Sequence, residues 1–92
     1  MSQKSSEIDV DSVEGYISLG IACHAQGQFE EAVAAYRTAI SINSENANAY
    51  LNLGIAYIAQ GQPLEAINAL QKAIEIEPDN ASSYLNLGTV FV

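Results

Sequence analysis

Cys23 and His24 stand next to each other, which invites a nucleophile and base reading. A helix defeats it. Adjacent residues on a helix point about 100° apart and do not face one another. The sequence holds one cysteine and one histidine, so a transition-metal site of the usual ligand count cannot be assembled from them. No internal disulfide can form, and nothing points to an oxidising compartment. Glu30, Glu31, Glu65, Glu75, Glu77 and Asp79 fall at helix starts, helix ends and outer faces. They read as a solvated surface, and those in first turns favour the helix dipole. Gly27 and Gly61 are isolated turn glycines rather than a loop that cradles phosphate. These residues point to a protein with no catalytic centre, no metal and no cofactor.

The elements that carry them come from a repeat. Val13–Asn46 aligns without gaps on Ala47–Asn80, and 16 of 34 positions are identical. Tyr16-x-x-Leu19-Gly20 returns as Tyr50-x-x-Leu53-Gly54 and again as Tyr84-x-x-Leu87-Gly88. The third copy, 81–92, has twelve residues. Apolar residues recur three and four apart, as in Tyr50, Leu53 and Tyr57, and then Ile67, Leu70 and Ile74. The spacing predicts helices over about 12–26, 29–42, 47–60 and 63–76, with a fifth starting at Ala81. Asp11-x-x-Glu14 has capping-box spacing, and Asn46 and Asn80 stand where N-caps belong. Gly27 and Gly61 suit the left-handed residue that ends a helix. Pro63 suits a first helical position, and Pro78 cannot continue a helix.

This pattern resembles the tetratricopeptide repeat, whose 34-residue signature runs aromatic-x-x-Leu-Gly-x-x-Tyr, Ala-x-x-x-Phe, Pro. The second copy matches at Tyr50, Leu53, Gly54, Tyr57, Ala66, Leu70 and Pro78. The first departs at Cys23 and Ser44, where Tyr and Pro are usual. The Tyr-Leu-Asn-Leu-Gly phrase is most similar to the O-GlcNAc transferase repeat subclass. The resemblance implies an all-α, right-handed superhelical solenoid. It has two full helix-turn-helix repeats, 13–46 and 47–80, and the first helix of a third, 81–92. Residues 1–11 are expected to be a disordered lead ahead of one domain, 12–92.

It also implies a scaffold that binds a peptide or a helix in a concave groove lined by the first helix of each pair. The groove would take apolar contact from Ile17, Ile21, Leu51, Ile55 and Leu85. Asn52 and Asn86, 34 apart, would pair with peptide backbone, because an amide both donates and accepts. Ser18 interrupts that ladder in the first repeat. Members that clamp a C-terminal carboxylate place cations in the groove. The matching positions here are Ile17, Ile21, Asn52, Ser82 and Asn86, so a carboxylate would not be held there. An alternative is self-assembly as a homodimer through the last helix, using Tyr84, Leu87 and Phe91. Another is the targeting arm of a larger enzyme such as a glycosyltransferase.

Composition narrows the partners. The chain has 92 residues, 49% hydrophobic, with 3 Lys+Arg against 11 Asp+Glu and a formal charge of −8. That disfavours nucleic acid and anionic membrane, both of which recruit cations. Half-apolar content disfavours a disordered acidic tail. With no signal-like start and no apolar span, the expected location is the cytoplasm.

Overall fold

The computed structural model describes the backbone from Ser5 to Phe91, and side chains over 12–88 and at Val90. Among the described residues there are five helices and no strands: α1 (Ser5–Ala25), α2 (Phe29–Ile42), α3 (Ala47–Ala59), α4 (Pro63–Ile76) and α5 (Ala81–Phe91). This is the all-α helical repeat the spacing predicts. The second helices begin and end where expected, and α3 stops one residue before Gln60.

Helix α1 begins at Ser5, ahead of the start near residue 12 that the spacing predicts. The Asp11-x-x-Glu14 box lies inside the helix instead of capping it. No proline or glycine interrupts 5–14, so nothing in the sequence forces a stop there. Residues 1–4 lie outside the described residues.

The turns are built from backbone chemistry. Gly27 and Gly61 have φ of 81° and 73°, a left-handed conformation that suits glycine. The Gln28 amide donates to the Cys23 carbonyl at 2.8 Å, and the Gly27 amide to His24 at 3.0 Å. Gln62 to Tyr57 at 2.9 Å and Gly61 to Ile58 at 3.0 Å repeat the pattern. These paired bonds satisfy carbonyls that the helix end leaves open. At the start of α3 the Asn46 side-chain oxygen accepts from the Ala49 amide at 3.1 Å. Asn80 does the same for Ser83 at 3.3 Å.

Small residues set how closely the helices approach. A Cβ on Gly54 would lie 2.7 Å from Leu70 Cγ and 3.4 Å from the Ala66 carbonyl oxygen. A Cβ on Gly20 would lie 2.7 Å from Cδ1 and Cζ of Tyr36. Ala32, Ala39, Ala66 and Ala73 are fully buried on the second helices. The close approach brings Tyr36 and Leu70 into the core, and burying side chains of this size contributes roughly 1.5–3 kcal/mol each.

Curvature follows from which helices touch. Helix α3 packs on α1 and on α5, whereas among the described residues α2 and α4 do not meet. The array therefore bends around its first helices. The α1–α3–α5 side is concave, and a gap opens between α2 and α4 on the other side.

Candidate functional site

On the concave side a cavity of about 170 Å³ lies between α1 and α3. Ile21, His24 and Ala25 line it from α1, Asn52 and Ile55 from α3, and Tyr36 from α2. Positions 21, 24 and 25 share one helix face by three-four spacing, as do 52 and 55. The walls are largely apolar, with the Asn52 amide and the His24 and Tyr36 rings among them.

The Asn52 amide is oriented by its own helix, because its Nδ2 donates to the Asn48 carbonyl at 2.9 Å. Asn86 repeats this with Ser82 at 2.8 Å. One amide hydrogen is used in each case, leaving a second hydrogen and the carbonyl oxygen for another chain. His24 meets Phe29 edge-on, with ring centroids 4.9 Å apart, which steadies the imidazole ring.

Tyr36 reaches the cavity across Gly20, whose missing side chain leaves room for the ring. Its phenol is pushed above the ordinary value of 10.0, mainly by burial and further by the nearby Cys23. The sequence reading did not include Tyr36. No local signal marks it, because Gly20 and Tyr36 face each other only where two helices meet in space.

The predicted groove residues divide. Ile21, Asn52 and Ile55 come together in the cavity. Leu51 is half-buried beside them, and Leu85 is 74% exposed on α5. Ile17 differs from them: it is 6% exposed and belongs to the core with Val13, Ala49 and Leu53, so little of it is open to a ligand. The side of α1 that carries Val13 and Ile17 is closed over by the core that α3 completes, while among the described residues α5 packs on α3 and α4. On the proposed self-association face Tyr84 is 51% exposed and Leu87 half-buried. The Phe91 side chain lies outside the described residues. Cys23 packs against the core while His24 lines the cavity. Among the described residues no group of three His, Cys, Asp or Glu is gathered as for a metal. No helix among them is long and apolar enough to cross a membrane.

A larger cavity, about 480 Å³, opens on the opposite side in the gap between α2 and α4. Helix α3 forms its floor with Tyr50, Leu53 and Tyr57. Arg37 and Ile40 line it from α2, and Asn68, Ala69 and Lys72 from α4. No single periodicity marks this cavity, because its walls come from three helices.

Comparison with known proteins fits this geometry. The TPR repeat family matches residues 20–61 and 56–92. The chain is similar to the Arabidopsis OM64 TPR domain, with TM-score 0.87 and 29% identity, over 89% of this chain and 68% of that one. It also shares the fold of the second TPR of Spaghetti (RPAP3), solved bound to the HSP90 peptide SRMEEVD. There the TM-score is 0.86 at 21% identity, over 92% of this chain and 81% of that one. No curated protein matches the chain. With helices, turn glycines and close helix crossings agreeing over most of its length, the chain belongs to the tetratricopeptide repeat family.

Proposed function

We propose that this chain is a non-catalytic interaction module that holds an extended peptide segment along the α1–α3–α5 side. The observation that carries the reading is the α1–α3 cavity, where an oriented Asn52 amide sits between Ile21 and Ile55. Such a site takes one apolar side chain of a peptide while the amide pairs with its backbone. Asn86, held in the same way one helix further on, supplies a second rung. The Tyr-Leu-Asn-Leu-Gly phrase supports this, since it resembles the repeat subclass that uses an asparagine ladder. A neighbour of the same fold carries a bound peptide, which supports a peptide as the class of ligand. The site does not favour a carboxylate at its contact points, because groove positions 21, 52, 82 and 86 carry no cation.

Peptides selected from a random library on the immobilised chain provide the probe. Asn52→Ala is expected to weaken them about tenfold, the worth of one or two hydrogen bonds. Unchanged affinity would reject the reading.

A further inference from the structure

The chain has three cationic side chains, Lys4, Arg37 and Lys72, in a sequence of net charge −8. Two of the three line the cavity that opens between α2 and α4. They share the cavity with the apolar side chains of Leu53, Ile40 and Ala69. The Arg37 guanidinium is steadied by Tyr57, with Nη1 donating to the phenol oxygen at 3.2 Å. That single bond leaves most of the guanidinium donors open, since arginine carries five. Lys72 lies 3.8 Å from Glu75, but both side chains are mostly exposed, so the pair is weak and exchangeable. Glu65 also lines the cavity and sets a limit on how much negative charge it accepts.

We propose that this cavity is a second binding site, one that takes a short acidic peptide segment with a carboxylate side chain next to a large apolar one. The apolar side chain would rest on Leu53 and Ile40, and the carboxylate would meet Arg37 and Lys72. A volume near 480 Å³ holds one large side chain with its neighbouring carboxylate. The surrounding acidic surface repels such a peptide elsewhere, so charge complementarity concentrates it here. The site is separate from the concave cavity and shares no lining residue with it.

The test uses a fluorescein-labelled peptide alternating aspartate with leucine and phenylalanine, and its counterpart with lysine for aspartate. Fluorescence polarisation on the full chain should show saturable binding of the acidic peptide only, weakening with added salt. Arg37→Gln with Lys72→Gln should lower that affinity about tenfold, with the helical circular dichroism signal unchanged. Asn52→Ala should leave it unchanged, which separates this site from the concave one. No binding of the acidic peptide would overturn the proposal. So would equal binding of the lysine peptide, insensitivity to the double substitution, or loss on Asn52→Ala. Should the double variant unfold, amide chemical-shift changes in the unaltered chain decide: shifts at Ile40, Tyr57 and Asn68 support the site, and shifts confined to Ile21 and Ile55 overturn it.

Discussion

Helices α3 and α5 carry nearly the same words, Tyr50-Leu51-Asn52-Leu53-Gly54 and Tyr84-Leu85-Asn86-Leu87-Gly88, in different surroundings. Leu53 is 7% exposed, while Leu87 is only half-buried. A Cβ on Gly54 would strike Leu70, and one on Gly88 would meet nothing within 4 Å. Asn52 lines a cavity with Ile21 and Ile55; Asn86 makes the same bond to its own helix but lines neither of the cavities described above. The difference lies in the neighbours. Among the described residues, helix α3 packs on α1, α2, α4 and α5, whereas α5 packs on α3 and α4. A repeat motif thus fixes which side chains could form a surface, and the flanking helices decide whether they do.

The contrast can be broken by paired substitutions. Leu53→Ala should cost about 2–5 kcal/mol of stability by leaving a cavity, and Leu87→Ala clearly less, measured by urea unfolding. Equal losses would mean that α5 is as well enclosed as α3. Gly54→Ala should cost roughly 1–3 kcal/mol through overpacking against Leu70. Gly88→Ala should instead raise stability by up to about 1 kcal/mol, from helix propensity alone. A loss at both glycines would show that position 88 is also a close contact.

A smaller effect sits at Ser83, which is fully buried with its hydroxyl unpaired. The equivalent residue on α3 is Ala49. Ser83→Ala should leave stability unchanged or raise it by about 1 kcal/mol, since a buried unpaired hydroxyl is costly. A fall in melting temperature would contradict this. The smallest effect contrasts Tyr36 with Leu70, its equivalent in the second repeat. The folded chain holds the Tyr36 proton more tightly than the unfolded chain does. Stability is therefore full below about pH 10 and falls as pH rises beyond it. Tyr36→Phe should flatten that part of the pH profile, and an unchanged slope would place the alkaline sensitivity elsewhere.

Much of this was readable from the residues, because the 34-residue period and the turn glycines are local signals. Gly27, Gly61 and Pro63 mark helix ends by their own backbone preferences, and the second helices fall where those marks put them. The start of α1 was not readable, since a capping-box spacing inside an uninterrupted helix looks like one at its start. Ile17 was expected in the groove from the family resemblance, which gives a helix face but not the neighbour that covers it. Tyr36 and the Arg37–Lys72 cavity were missed because they depend on helices meeting in space.

The central claim is that Asn52, placed beside the α1–α3 cavity, pairs with the backbone of an extended peptide. Its most direct test is the affinity of one library-selected peptide for the unaltered chain, Asn52→Ala and Asn86→Ala, by isothermal titration calorimetry. The account predicts a loss of about tenfold at Asn52 and a smaller loss at Asn86. Equal affinity across all three proteins, with each still folded, would contradict it.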